Sequence, residues 1–293
     1  MAIRPLPCVR IPSFLVMLGA LLVVACVHRK TQPEPVDILT VLAKRLPGGS
    51  PSAQRKAMVD TIRAELRALA PKADTPAFET ALSIVSVIPR EEFVREDRRS
   101  AAYVDLPQDI GYGQTISDPY VVAIMTAALD LPTGANVLDV GTGSGYQAAV
   151  LARIAKRVSS IEIVPPLATS ASERLRRLGF ANVEVRTGDG FLGWPEFAPF
   201  DGIIVAASAS EVPAPLLAQL KPGGKLVMPI GLSDSSTQLL RFTKNADGSV
   251  ARCSLGAALF VPLTGARARP FARYGLFDRS IPLCFGAPIV GIL

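Results

Sequence analysis

Asn136 to Gly145, reading Asn-Val-Leu-Asp-Val-Gly-Thr-Gly-Ser-Gly, constrains this chain more than any other stretch. An apolar run suited to a buried parallel strand passes straight into a loop with glycine at every second position: Gly141, Gly143 and Gly145. Glycine permits backbone conformations and close approaches that a Cβ forbids. A loop of this kind between strand and helix offers backbone N–H groups to a ligand, and open α/β sheets bind ligands at that carboxyl end of the strands. Asp139 is an acid within the strand, too costly to bury without a partner. The stretch reads as a nucleotide-type cofactor site.

The detail selects the cofactor. The dinucleotide fingerprint requires G-x-G-x-x-G, but Tyr146 stands where the third glycine belongs. Glu162 lies about twenty residues on, at the end of the next apolar run, where an acid meets ribose hydroxyls. A ribose-binding acid without a pyrophosphate pattern suits S-adenosylmethionine, and Tyr146 counts against an NAD oxidoreductase.

Around this stretch, apolar runs alternate with helical ones. Strands are expected at Val158 to Ile163, Val183 to Thr187, Phe200 to Ala206 and Lys225 to Pro229. Helices are expected at Tyr146 to Arg157, Pro166 to Leu178 and Pro213 to Leu220. Gln238 to Thr243 and Ser249 to Phe260 flank Asn245-Ala246-Asp247-Gly248 as an antiparallel hairpin. The result is an α/β fold, a mostly parallel sheet with helices on both faces and a C-terminal hairpin. Ala53 to Leu69 and a helix from Ala77 to Val87, capped by Thr75, are expected to cover it. Gly188-Asp189-Gly190 ends the third strand, where Asp189 either accepts from an adenine amino group or simply makes a turn.

Ile110 to Pro119 reads as a glycine-containing loop that opens a helix from Tyr120 to Leu129. Ser117 or Asp118 is an N-cap on one reading. On the other, a hydroxyl at a helix N-terminus seats an anionic carboxylate.

Composition narrows the chemistry. His28 is the single histidine among 293 residues, which excludes Ser-His-Asp hydrolysis and histidine-based metal sites. The four cysteines form no C-x-x-C pair, so no metal is expected. The net charge of +6 is dispersed and not interleaved with aromatics, so no nucleic-acid partner is expected.

Residues 1–25 have the pattern of a signal peptide, with Arg4 and Arg10 before an apolar run. Leu22-Val23-Val24-Ala25-Cys26 looks like a lipoprotein cleavage site, which implies membrane attachment through Cys26 and residence in the cell envelope. An uncleaved anchor or a later start codon are the other readings. Residues 26–52 read as a tether, 53–264 as the catalytic domain, and 265–293, with Arg267, Arg269, Arg273 and Arg279, as an unassigned extension. Cys253 and Cys284 remain to pair in an oxidising compartment.

Several segments together resemble the protein-L-isoaspartate O-methyltransferase family. They are Val87-Ile88-Pro89-Arg90-Glu91-Glu92-Phe93-Val94, Ile110-Gly111-Tyr112-Gly113-Gln114-Thr115-Ile116-Ser117, Val140 to Gln147, Gly188-Asp189-Gly190, Gly193-Trp194-Pro195-Glu196, Ala198-Pro199-Phe200-Asp201, Gln219 to Gly224 and Phe260-Val261-Pro262-Leu263-Thr264. The resemblance implies a class I S-adenosylmethionine-dependent, Rossmann-like fold; the chain is expected to be a monomer. The implied activity is methylation of the α-carboxylate of isoaspartyl residues in damaged proteins, with repair through a succinimide. It implies Ser117 at the acceptor site, with Gln114, Thr115 and Ile116 beside the cofactor. Asp139 and Gly141 fall under the methionine moiety, with Gly143 and Gly145 also cofactor-binding, Glu162 at the ribose, Asp189 and Gly190 at the adenine, and Thr264 at the last cofactor-side position.

The chain departs from the family pattern at Asp118, where glutamine is common, and at Ala206-Ala207-Ser208-Ala209. Family members are usually cytoplasmic, where the methyl donor is made, which conflicts with the signal-like start. A carboxyl methyltransferase for another acid and a catalytically inactive envelope protein of the same fold are the alternatives.

Overall fold

The structure, a computed structural model, describes residues 38–43, 49–233, 236–266, 278 and 280–288. The signal-like residues 1–25, Cys26, and Arg267, Arg269, Arg273 and Arg279 lie outside the described residues.

Helix α1 spans Ile38–Ala43, α2 Pro51–Leu69 and α3 Pro76–Val85. Ser50 Oγ accepts from Ala53 N–H and Thr75 Oγ1 from Phe78 N–H, each with proline at the start of the helix. A hydroxyl N-cap before a proline sets a helix start sharply. Helix α2 therefore begins inside the stretch expected to be tether.

Strands β1 (Gln108–Gly111) and β2 (Gln114–Ile116) pair antiparallel, where a loop was expected. The glycines there make the turn and do not signal an absence of strand. Each strand is too short to display a period in sequence. Helix α4 (Pro119–Leu129) follows at once.

Strand β3 (Ala135–Val140) then leads through the glycine loop to α5 (Tyr146–Leu151). Helix α5 stops six residues before the expected Arg157, because Asn182 Nδ2 donates to the carbonyls of Ala152 and Ala155 at 2.9 and 3.1 Å. That releases Ala155–Glu162 to pair with β3 as β4. The chain continues through α6 (Pro165–Arg177), β5 (Val183–Thr187), β6 (Phe200–Val205), α7 (Ala214–Ala218), β7 (Leu220–Ser233), β8 (Ser236–Lys244) and β9 (Val250–Ala258).

The seven-stranded sheet has the order β5-β4-β3-β6-β7-β8-β9. Strands β5, β4, β3, β6 and β7 are parallel and the last two antiparallel. Both faces are covered, as an apolar parallel sheet requires. Val137, Ile204 and Val227 join the core shared with α2, α3, α4 and α5, while Leu138, Ile203 and Leu226 join the core on the other face. The strand order reverses between β3 and β6, which places a switch-point crevice beyond Val140 and Val205.

The C-terminal segment closes onto this crevice. Ser208 N–H donates to Val261 O at 2.9 Å, and Leu263 N–H donates to Ser208 O at 2.7 Å. The departure at Ala206 to Ala209 is accommodated here, since Ala209 N–H donates to Pro229 O at 3.3 Å.

Cys253 of β9 and Cys284 form a disulfide spanning 31 residues. Cys284 N–H and Ser254 O bond at 2.9 Å, and Ser254 N–H donates to Pro282 O at 2.8 Å. Part of the extension is thus tied to the sheet edge. Reduction is expected to lower stability by about 2 kcal/mol, the low end of the range for removing a native disulfide. Urea unfolding with and without reductant measures this, and coincident curves would contradict it.

Candidate active site

The crevice at the switch point collects most of the residues singled out in the sequence. Gln114, Thr115, Gly141, Gly143, Glu162, Gly190 and Thr264 line one cleft that opens to solvent. Its apolar walls are Val140, Ile161, Ile163, Ala207, Pro262 and Leu263. None of these was named as a site residue from sequence, although Val140, Pro262 and Leu263 fall in segments that carry the family resemblance. They are ordinary residues at strand ends, and only the register of the sheet and the return of residues 261–264 bring them together.

The glycine loop is fixed from below. Gly141 N–H and Thr142 N–H both donate to Ile161 O, at 2.8 and 3.2 Å. Gly141 and Gly143 have φ of 91° and 53°, left-handed values that favour glycine. Glu162 receives Gly143 N–H on Oε2 at 2.7 Å and Val164 N–H on Oε1 at 2.9 Å. A carboxylate has about four acceptor positions, so Glu162 retains capacity toward the cleft it lines. Gly190 is required for space: a Cβ there would lie 2.4 Å from Val140 Cγ1.

Other expected residues stand behind the cleft. Asp139 is fully buried; Ser160 Oγ donates to its Oδ2 at 2.7 Å and also meets Thr142 Oγ1 at 2.5 Å. This chain of hydroxyls supports the loop. Asp139 Oδ1 is buried without a donor, and burial, with the negative Glu162 adding to it, pushes the carboxyl up to about 7.

Gly145 belongs to packing, since a Cβ there would lie 3.2 Å from Leu175 Cδ1 of α6. Ile116 is core. Asp189 lies beside Gly190, its Oδ1 accepting from Phe191 N–H at 2.9 Å and its Oδ2 from Ala266 N–H at 3.0 Å. Asp189 therefore anchors the returning segment at the cleft's edge, and the turn reading of its position describes its present bonds.

The acceptor side is organised by Asp118. Its Oδ1 accepts from Val121 N–H at 2.7 Å and caps α4. Ser117, immediately before it and at the end of β2, is thereby relieved of capping and is partly exposed. Asp105 Oδ1 accepts from Tyr120 N–H at 2.9 Å in the same helical turn.

Between these acids and the glycine loop lies Arg90, completely buried, its Nε donating to Ala102 O at 2.9 Å and its guanidinium 4.8 Å from the ring centre of Tyr146. Neither Arg90 nor Asp105 was singled out as a site residue, since a lone arginine and a lone aspartate in irregular segments carry no pattern.

Burial pushes the Asp105 carboxyl up to about 7, the negative Asp118 reinforcing this while Tyr120 N–H and Arg90 oppose it. Asp118 is raised for the same first cause, burial. An acid raised in the folded state binds its proton there after the unfolded chain has released it. Stability then falls as pH rises from the unfolded value near 4 toward 7 and is flat above. Asp105→Asn keeps an acceptor for Tyr120 N–H and removes that charge. It is expected to raise stability at pH 8 and reduce the fall between pH 5 and 8, measured by urea unfolding. An unchanged slope would contradict this.

Comparison with known proteins agrees with this geometry. The family model for protein-L-isoaspartate(D-aspartate) O-methyltransferase matches residues 72–268. A protein-L-isoaspartate O-methyltransferase 2 of Polaromonas sp. is 47% identical over 211 residues, covering 72% of this chain and 100% of the relative. One from Syntrophobacter fumaroxidans is 48% identical over 214 residues, covering 73% of this chain and 87% of the relative. Among solved structures, a protein-L-isoaspartate O-methyltransferase superposes with a TM-score of 0.63 at 30% identity, over 72% of this chain and 66% of that one. A Plasmodium falciparum protein described as a putative member, in complex with S-adenosyl-L-homocysteine, gives 0.59 at 26% identity, over 72% of this chain and 98% of that one. The family model matched over residues 72–268, a span that holds both the glycine loop and Ser117, and relatives 47% and 48% identical over 72% and 73% of the chain establish that the chain belongs to the protein-L-isoaspartate(D-aspartate) O-methyltransferase family.

Proposed function

We propose that this chain methylates the α-carboxylate of L-isoaspartyl residues with Ser117 orienting the acceptor and the cleft beneath it holding S-adenosylmethionine. The observation that carries this is the convergence of Gln114, Thr115, Gly141, Gly143, Glu162, Gly190 and Thr264 on one cleft, with Ser117 three residues beyond Gln114.

The residues present fit the cofactor. Apolar walls suit an adenine face, Glu162 has acceptor capacity for ribose hydroxyls, and Asp139 supports the glycine loop from behind through Ser160 and Thr142. When bound, S-adenosylmethionine supplies an electrophilic methyl group on a sulfonium.

The chain's own part is positioning. A carboxylate with a pKa near 3.9 is ionised at neutral pH, so no general base is required and the absence of a second histidine costs nothing. Ser117 donates to the carboxylate and aims it. Val140, Ile161 and Leu263 give the cofactor cleft its apolar lining. Alignment alone lowers such a barrier by several kcal/mol. The methyl ester then closes to a succinimide when the following backbone nitrogen attacks it and methanol leaves. Hydrolysis of the succinimide yields some normal aspartate.

Ageing peptide followed by chromatography tests the repair: isoaspartyl peptide is expected to convert partly to its aspartyl form with enzyme and cofactor together. Conversion equal to that without enzyme would count against it. A free small acid as the preferred acceptor would replace the substrate class.

We also propose that the chain acts in the cell envelope, held by a lipid on Cys26. The signal pattern of residues 1–25 and the Cys253–Cys284 disulfide support this reading, because disulfides persist in oxidising compartments. Incorporation of labelled fatty acid, lost in Cys26→Ala, is the expected result; recovery of unlabelled full-length chain in the soluble cell fraction would overturn it.

A further inference from the structure

The hairpin of β1 and β2 turns on Tyr112 and Gly113, the two residues between the paired Gly111 and Gln114. Their φ values are 57° and 69°, the positive pair that a two-residue type I′ turn requires. Asparagine, aspartate or glycine normally takes the first place of such a turn, since they tolerate left-handed backbone and bulkier side chains do so at a cost. Tyr112 is one of two non-glycine residues with positive φ among the described residues. The other, Asp130, has the short polar side chain that this conformation accepts.

Nothing in the packing explains the choice of tyrosine. The residue is 64% exposed, the most exposed of the large hydrophobic side chains among the described residues. Hairpin stability therefore does not call for an aromatic ring here, and neither does the core. Unfavourable backbone retained at an exposed position points to function.

The hairpin's placement says which function. Strand β2 lines the cleft with Gln114 and Thr115 and ends at Ser117, while Ile110 of β1 reaches the glycine loop, where its Cδ1 lies 3.3 Å from the Cβ position of Gly143. The inner part of the hairpin thus borders the cofactor cleft and its tip projects beyond. At about 3.4 Å per residue, Tyr112 stands roughly 15 Å from Ser117. An extended peptide covers that distance in about four or five residues.

We propose that Tyr112 is a specificity-determining residue that packs against the substrate polypeptide about four residues from the isoaspartyl position, favouring an apolar or aromatic side chain there. This rests on the acceptor lying at Ser117. It makes the enzyme one that reads a length of exposed chain as well as a carboxylate, as suits a catalyst acting on damaged proteins.

Steady-state kinetics on two isoaspartyl peptides test it, one with about two residues on each side of the acceptor and one with about six, the longer carrying leucines at the outer positions. Tyr112→Asn, which suits the turn better, is expected to raise KM for the long peptide about tenfold. KM for the short peptide, S-adenosylhomocysteine affinity by calorimetry and Tm are expected not to worsen. Tyr112→Phe is expected to keep the wild-type preference for the long peptide.

Equal KM for the two peptides in the wild type, or an unchanged long-peptide KM in Tyr112→Asn, overturns the proposal. Weakened S-adenosylhomocysteine binding overturns it in favour of a cofactor cover, and a fall in Tm in favour of a structural role. Failure of the wild type on both peptides would instead sink the acceptor reading on which the proposal rests.

Discussion

Ser117→Ala is expected to lower kcat/KM for an isoaspartyl peptide by about 10²-fold and leave cofactor affinity unchanged. A hydrogen bond to a charged partner contributes roughly 1.5–3 kcal/mol, and each 1.4 kcal/mol is tenfold. Little else should change. Helix α4 keeps its cap, because Asp118 and not Ser117 accepts from Val121 N–H. The wall residues and Glu162 are untouched. Kinetics with peptide, together with calorimetry for S-adenosylhomocysteine, check both halves. Wild-type kinetics would remove Ser117 from the reaction, and a parallel loss of cofactor affinity would move it to the cofactor side.

Glu162→Ala is expected to weaken cofactor binding by about 10³-fold. Two losses combine there. The carboxylate's remaining acceptor capacity toward ribose disappears, at about 1.5–3 kcal/mol for a charge-assisted bond. Gly143 N–H and Val164 N–H also lose the oxygens they donate to at 2.7 and 2.9 Å, so Gly143 is no longer held by the end of β4, while Gly141 and Thr142 stay bonded to Ile161 O. Glu162→Gln keeps an acceptor for only one of the two N–H groups and is expected to fall between Ala and wild type. Calorimetry with S-adenosylhomocysteine reads the order. Equal affinity in Glu162→Ala and wild type would mean that the ribose lies elsewhere.

Much of this site was legible in the sequence because its chemistry depends on backbone. A loop that must run at positive φ displays glycines, and an acid at a strand end stands out against apolar neighbours; Gly141, Gly143 and Glu162 were therefore visible. The cleft's walls were not, since Val140, Ile161 and Leu263 resemble any core residue until the sheet order and the return of residues 261–264 set them face to face. The hairpin Gln108–Ile116 escaped notice because its strands are shorter than any period. The overlong helix from Tyr146 came from local propensity overridden by pairing with β3 and by Asn182. Capping by Ser117 or Asp118 was open in sequence, and the chain settles it by giving the cap to Asp118. Arg90 shows the converse case, a fully buried cation whose setting beside Tyr146, Asp105 and Asp118 arises only in three dimensions.

The most direct measurement is transfer of labelled methyl from S-adenosylmethionine to an isoaspartyl peptide and to its aspartyl twin, using wild type and Ser117→Ala side by side. The account predicts base-labile label on the isoaspartyl peptide only, reduced about 10²-fold in the variant. Equal labelling of the two peptides, or none on either with the cofactor bound, would contradict it.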